Sequence, residues 1–338
     1  MKWVTQTVGR VPRADYRKAQ EDFAHFAKAA KFRRLAIFRF NDAQESDEEL
    51  QRRIWGIIAG LKHGDLLIHQ YPTWNSKRYE DMFQREASYK GVTMGAYIQQ
   101  LPALSNERFE ADFPLEILFR YDFLIAHTEK MREKLQELGY EKLIFVSSFA
   151  DYVQDYPIRP KKFLRQVVYF GDIGMKPKFL SWSNTTMLKV LGPNHSELSK
   201  SDSVKFGANP NLSVVSTYLE GGFGFLERDS RKTDDYAAMS FHDKLSLFLS
   251  AGMPVIVYDD FAYAEFIVEN KLGFAISQIS EIDEKIAQID EENYAEFLKN
   301  VSYFGELMRT GFFTGKLLQQ LEGLDFFDLV EGRPQLGF

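Results

Sequence analysis

Short apolar runs recur along this chain, each followed by a stretch with helical periodicity, and that alternation restricts it to a narrow set of folds. Residues 35–40, Leu-Ala-Ile-Phe-Arg-Phe, read as a strand, and 47–61 as a helix with Ser46 at its N-cap. Strands at 66–70, 93–99, 124–127 and 143–147 follow, separated by helices at 79–90 and 129–138. Strand and helix in strict alternation, joined by short turns, give a parallel sheet covered on both faces. The pattern breaks at 152–162, where Pro157, Pro160 and clustered charge read as an interdomain linker. It then restarts with strands at 166–170, 187–191, 223–226, 254–258 and 274–276. Helices at 243–250 and 262–270 lie between them, and acidic helices at 282–304 follow.

Two such halves fit 338 residues, which is long for one α/β core. The formal net charge of −6 gives a polyanion nothing to bind, so nucleic acid is not an expected partner. There is no cysteine, hence no disulfide framework and no thiolate metal site, which fits a cytoplasmic protein. The N-terminus lacks the apolar run of a signal peptide, and no stretch approaches the roughly 18 apolar residues of a membrane span. The 6 His show no metal spacing, and GxSxG, HExxH and CxxC motifs are absent.

Ligands of open parallel sheets sit outside the carboxyl ends of the strands. Three stretches of the second half are placed for that. Gly171-Asp172-Ile173-Gly174-Met175-Lys176-Pro177-Lys178 follows a strand, and its glycines and lysines suit a phosphate; an exposed turn explains it equally. Gly221-Gly222-Phe223-Gly224 marks a close backbone approach, to a ligand or to packing. Lys244 falls in the first turn of the 243–250 helix, where a cation opposes the helix dipole unless an anion, a diphosphate or the neighbouring Asp243, stands beside it. Glu265 and Glu269, four apart on the next helix, share a face that suits ribose hydroxyls or plain solvent. In the first half, Trp74 and Asn75 follow the strand ending at Gln70, an aromatic with polar neighbours that suits a sugar face, or a buried Trp beside a helix cap.

Taken together, Gly60-Leu61-Lys62-His63-Gly64-Asp65, Gln70-Tyr71-Pro72-Thr73-Trp74-Asn75, Gly221-Gly222-Phe223-Gly224, Lys244-Leu245 with 248–257, Glu265 with 269–273, and Gly311-Phe312-Phe313-Thr314 resemble one family. It is that of the bacterial accessory glucosyltransferases that extend O-linked N-acetylglucosamine on serine-rich repeat adhesins, part of a wider galactofuranosyltransferase-like set. The resemblance runs over nearly the full length. It implies an α/β, GT-B fold with two Rossmann-like domains facing across a cleft. An acceptor-binding domain would span 1–155, a nucleotide-sugar domain 163–310, and a C-terminal helix within 311–338 would cross back to the first domain. It further implies a UDP-sugar donor such as UDP-glucose, retention of configuration, no cofactor and no metal. The acceptor would be a glycosylated Ser/Thr-rich protein or a cell-surface glycan, and the assembly a homotetramer or other homo-oligomer. Lys244 matches the family's diphosphate-binding lysine, Lys178 or Lys176 its basic loop residue, and Phe206 its uracil-stacking aromatic.

Close relatives carry a His-Asp pair and then a hydrophobic-Pro stretch after the third strand of the first domain. Here that segment reads Tyr97-Ile98-Gln99-Gln100-Leu101-Pro102. Glutamine neither titrates nor acts as a base, so Gln99 or Gln100 would position the acceptor or the sugar. The tyrosine that precedes the lysine in relatives is Asp243, and of the N-terminal glycine-bearing loop only Thr5-Gln6-Thr7-Val8-Gly9-Arg10 is left. Two functions fit: an active hexosyltransferase, or a non-catalytic GT-B subunit that binds glycopeptide or stabilises a partner transferase.

Overall fold

The computed structural model describes residues 1–9, 14–105, 113–174, 176–199, 201–228, 234–240 and 243–322. From the N-terminus run β1 (Lys2–Val8), α1 (Ala14–Ala27), β2 (Arg33–Phe38), α2 (Asp47–Ile57), β3 (Leu66–Tyr71) and α3 (Lys77–Tyr89). Next come β4 (Thr93–Ile98), the short α4 (Pro102–Ser105) and α5 (Leu115–Leu118), β5 (Phe123–Ala126), α6 (Glu129–Glu137) and β6 (Leu143–Val146). The chain continues with β7 (Lys162–Phe170), α7 (Pro177–Leu180), β8 (Met187–Leu191), β9 (Val204–Phe206), β10 (Gly221–Phe225), α8 (Asp234–Met239) and α9 (Asp243–Ser250). It ends in β11 (Val255–Tyr258), α10 (Ala264–Glu269), β12 (Gly273–Ile276), α11 (Ile282–Ala287), α12 (Glu291–Thr310) and α13 (Phe312–Glu322). Among the described residues, 1–151, 234–240 and 311–322 form one compact unit, and 152–228 with 243–310 the other.

Local chemistry sets these boundaries. Ser46 opens α2 through a reciprocal capping box with Glu49, Ser76 accepts the N–H of Tyr79 to open α3, and Thr128 accepts that of Met131 to open α6. Every residue of β3 is buried, as a strand covered on both faces requires. Leu67 and Tyr71 face α2 and α3, packing with Leu50, Ile54 and Phe83, while Leu66 and Ile68 face Phe23, Leu317 and Leu321 on α1 and α13. Each such side chain, buried from water, contributes about 1.5–3 kcal/mol.

The first sheet has strand order β2-β1-β3-β4-β5-β6 and the second β12-β11-β10-β7-β8-β9. All recorded pairings are parallel. In the first the order reverses between β1 and β3, as in flavodoxin-like sheets; in the second it reverses between β7 and β10, as in dinucleotide-binding sheets. The carboxyl ends at such a reversal are where ligands of these folds bind.

Three features depart from the sequence expectation. The segment holding Thr5, Thr7 and Val8 is the interior strand β1, not a loop, and its polar side chains are buried. Residues 152–161 are not a free linker: Tyr152 N–H donates to Met308 O, and Gln154 Nε2 donates to Ser250 Oγ, so the segment packs within the second unit. Finally, α8 is built into the first unit, where Tyr236 Oη accepts from Leu101 N and Met239 O accepts from Thr128 Oγ1. That long excursion has no periodic signature.

Candidate functional site

In the second unit, polar groups converge at the carboxyl ends of β7 and β10. β7 ends in Tyr169-Phe170, and Gly171 leaves it with φ +134°, a conformation that favours glycine. Its N–H donates to Leu191 O at the end of β8, and a Cβ on Gly192 would overlap the Gly171 carbonyl, so the two loops touch through glycine backbone. Lys244, in the first turn of α9, reaches over this turn. Its Nζ lies 4.3 Å from the centroid of the buried Tyr169 ring and would be 3.1 Å from a Cβ on Gly171. Lys176 Nζ stands 5.8 Å from the same centroid and donates to Arg228 O, just past β10. Two ammonium groups therefore contact one aromatic ring beside a strand-end glycine, with the ring quadrupole attracting both.

Around them the turn is tied down. Asp172 Oδ1 accepts the N–H of Gly174 at 2.7 Å and stands 2.8 Å from His195 Nε2, joining the loops after β7 and β8. The Arg228 guanidinium pairs with Asp260 at 2.6 Å and lies 4.6 Å from the Tyr258 ring centroid. Burial, with Glu227 beside it, pushes the Tyr258 phenol well above its ordinary value, so its hydroxyl stays protonated and donates to Glu227.

In the first unit, the reversal between β1 and β3 is lined with amides. Gln70 Nε2 donates to Thr5 O and Gln20 O, and Gln20 in turn accepts from Thr7 N and donates to Pro72 O. Gln99 Nε2 donates to Gln70 Oε1 at 2.7 Å. Beyond β3, Trp74 adopts φ +60° and packs edge-on against Phe113, with 5.5 Å between ring centroids. Thr73 N and Oγ1 both donate to Glu80 Oε1 at 2.6 Å, and His69 Nε2 lies 3.1 Å from Glu80 Oε2. Glu80, His69 and Thr73 are fully buried.

Residues 1–149 match the family model described as Glucosyltransferase 3-like, N-terminal domain, and residues 167–321 the one described as Glucosyltransferase 3-like, C-terminal domain. The chain belongs to the Glucosyltransferase 3-like family. Glucosyltransferase 3 of Streptococcus parasanguinis is 28% identical over 321 residues, covering 94% of this chain and 97% of that protein. The β-1,6-galactofuranosyltransferase WbbI of Escherichia coli (strain K12) is 24% identical over 278 residues, covering 78% of this chain and 81% of its own. Among solved structures, AviGT4, a glycosyltransferase involved in avilamycin A biosynthesis, superposes with TM-score 0.58 at 10% identity, covering 98% of this chain and 99% of that one. The chain is a glycosyltransferase with the two-domain α/β architecture of the GT-B fold.

The residues that the sequence points to within this Glucosyltransferase 3-like chain fall into two groups. Gly171, Lys176 and Lys244 come together as described. Lys178 lies in α7, on the same loop, with its side chain outside the described residues, as is that of Asp243; Arg10, Met175, Phe241 and His242 lie outside them altogether. Phe206, half-buried, closes the edge strand β9 at its carboxyl end, and Glu265 is exposed in the first turn of α10. Glu269, also exposed, ends that helix a turn farther along. Gly221 and Gly222 sit elsewhere: they begin β10, at the amino end of the sheet, opposite Gly171. A bulge there gives Gly222 φ +79°, Gly221 pairs with Lys162, and Tyr294 Oη donates to Gly222 O. Their glycine character serves strand packing.

In the first unit, Asn75 uses its amide within the protein, accepting from Phe40 N on the segment after β2 and donating to Thr73 Oγ1 on its own loop. Gln99 is tied to Gln70, while Gln100 is buried with its N–H directed to Tyr71 O. Trp74 is half-buried and keeps part of its surface accessible. Sequence reasoning missed Tyr169, Arg228, the Asp172–His195 pair and Glu80, since each matters through a partner distant in sequence. Among the described residues no helix is long and apolar enough to cross a membrane, and no group of three or more His, Asp or Glu is placed to hold a metal ion.

Proposed function

We propose that this glycosyltransferase moves a hexose, glucose first among the candidates, from a UDP-sugar to an N-acetylglucosamine-bearing Ser/Thr-rich protein or a cell-surface glycan, with retention of configuration. The observation that carries the donor side is the pair Lys244 and Lys176 over Tyr169, beside the backbone turn at Gly171. Both ammonium groups stand at the strand reversal of a dinucleotide-type sheet, where a diphosphate meets N–H donors and positive charge together. Lys244 stands in the first turn of α9, and an anion bound there offsets the unfavourable meeting of a cation with the helix dipole.

In this reading Lys244 and Lys176, with Lys178 on the same loop, stabilise the negative charge that builds on UDP as the glycosidic C–O bond breaks. The acceptor hydroxyl attacks the same face of the sugar. Its proton passes to the departing phosphate oxygen, so no protein base is required, in keeping with the amides at Gln99 and Gln100. Phe206 stacks on the uracil, Glu265 takes a ribose hydroxyl, and Trp74 offers its ring to the acceptor sugar. A cytoplasmic homotetramer, working without a metal, completes the reading.

Calorimetric titration with UDP, followed by a panel of UDP-sugars assayed for UDP release, tests it. Binding together with slow release from one sugar supports the reading and names the donor. No binding by UDP or any UDP-sugar overturns it.

A further inference from the structure

The backbone of Trp74 is the starting point. Among the described residues only Lys31, Trp74 and Lys271 are non-glycine residues with positive φ. Such a conformation costs a side-chain-bearing residue roughly 1–2 kcal/mol and persists only where the surroundings impose it. Trp74 stands directly beyond β3, at the strand reversal of the first sheet, where a ligand of such a fold binds.

What imposes the conformation is a buried carboxylate. Glu80 Oε1 accepts both the N–H and the hydroxyl of Thr73, each at 2.6 Å. The Thr73 hydroxyl then accepts from Asn75 N and Asn75 Nδ2, both at 3.3 Å, so its one donor and two acceptor positions are all engaged. Arg39 Nε donates to Trp74 O at 2.7 Å, and Asn75 Oδ1 accepts Phe40 N at 3.0 Å. The other carboxylate oxygen is held by His69 Nε2. A charge this deeply buried is seldom the most stable choice: apolar side chains of similar volume serve a core as well or better. Here the carboxylate bonds the loop that holds Trp74, one of the three non-glycine residues with positive φ among the described residues.

We propose that Glu80 is a positioning residue for the acceptor side of the reaction. Through Thr73 it holds Trp74 in its left-handed conformation and so presents the indole to the acceptor sugar. The inference rests on the acceptor-side reading of Trp74 given above. The carboxylate is consumed inside the loop, which leaves the half-buried indole as the group offered at that strand end, with the Arg39 guanidinium on the Trp74 carbonyl.

The test uses full-length protein labelled with 5-fluorotryptophan, whose 4 tryptophans give separate fluorine resonances, with Trp74→Phe assigning the line. Thr73→Val keeps the shape of the side chain and deletes the hydroxyl; Thr73→Ser restores it; Glu80→Gln removes the charge. Thr73→Val and Glu80→Gln are expected to shift or broaden the Trp74 line, and Thr73→Ser to leave it near the wild-type position. With a serine-rich peptide carrying O-linked N-acetylglucosamine as acceptor, Thr73→Val raises the acceptor KM roughly tenfold while UDP affinity in the same preparation stays near wild type. A Trp74 line unmoved in Thr73→Val overturns the positioning role, even if Glu80→Gln fails to fold. A moved line with an unchanged acceptor KM overturns the link to the acceptor. Wild-type protein that binds UDP but transfers to no such peptide counts against the acceptor reading, and the resonance still decides the role of Glu80.

Discussion

Lys244 holds its ammonium group 4.3 Å from the centroid of the Tyr169 ring, so a residue at the start of α9 is fastened to the last turn-forming stretch of β7. The contact carries positive charge to the carboxyl end of the strand at which the second sheet reverses its order.

Removing that charge has a direct consequence. Lys244→Ala is expected to weaken UDP binding at least tenfold, about 1.4 kcal/mol, because one charge-assisted contact to the diphosphate is lost. Lys244→Arg keeps the charge and the contact with the ring, and is expected to lose less. Calorimetry on both variants decides it; an unchanged affinity in the alanine variant removes Lys244 from the donor site.

Gly171 gives a second handle on the same place. Its φ of +134° strains any other residue, and a Cβ would stand 3.1 Å from Lys244 Nζ. Gly171→Ala is therefore expected to lower stability by roughly 1–2 kcal/mol and to displace Lys244, weakening UDP binding beyond what the loss of stability explains. Denaturant melts and UDP titration on one preparation separate the two effects.

Much of this architecture is legible in the sequence. The helix Asp243–Ser250 and the strand Val255–Tyr258 are legible because each carries a concentrated apolar stretch. β1 is not, because Thr5, Gln6 and Thr7 look like loop residues; inside, Gln70 N–H bonds the Thr5 hydroxyl and Arg34 the Gln6 amide, whereas the Thr7 hydroxyl has no hydrogen-bond partner among the described residues. Lys244 and Gly171 can be picked out by residue type and place. Gly221 and Gly222 mislead, since a strand bulge needs glycine as much as a phosphate loop does. Tyr169 reads as one more core aromatic until its two lysine neighbours are seen.

The buried tyrosines around Glu80 lead to a prediction about stability. Tyr71, Tyr79 and Tyr121 place hydroxyls in the core with no hydrogen-bond partner among the described residues, and burial pushes each phenol far above its ordinary value. An unsatisfied buried hydroxyl costs about 1–3 kcal/mol. Tyr121→Phe, which keeps the stacking on His69, is expected to leave the melting temperature unchanged or to raise it. A clear fall would mean that the hydroxyl is satisfied through bound water.

Asp151 supplies the pH-dependent case. Its carboxyl accepts the N–H groups of Phe313 and Thr314 at the start of α13. Burial nevertheless pushes it from 3.8 up to about 6, the Thr314 hydroxyl and the two amides offsetting only part of the loss of solvent. Between those two values the folded chain keeps the proton and the unfolded chain releases it. Folding then takes up a proton, and stability falls as pH rises. The contribution is fully present below the unfolded value of 3.8 and gone above about 6; it amounts to at most about 3 kcal/mol. Asp151→Asn cannot titrate and lacks it. The melting temperature of wild type relative to Asp151→Asn should therefore decline from the acid side towards neutrality and level off above about pH 6. Melts of both proteins across that range check the sign. A wild type that gains on the variant as pH rises would mean that the amides of Phe313 and Thr314 outweigh burial and hold the carboxyl below its ordinary range.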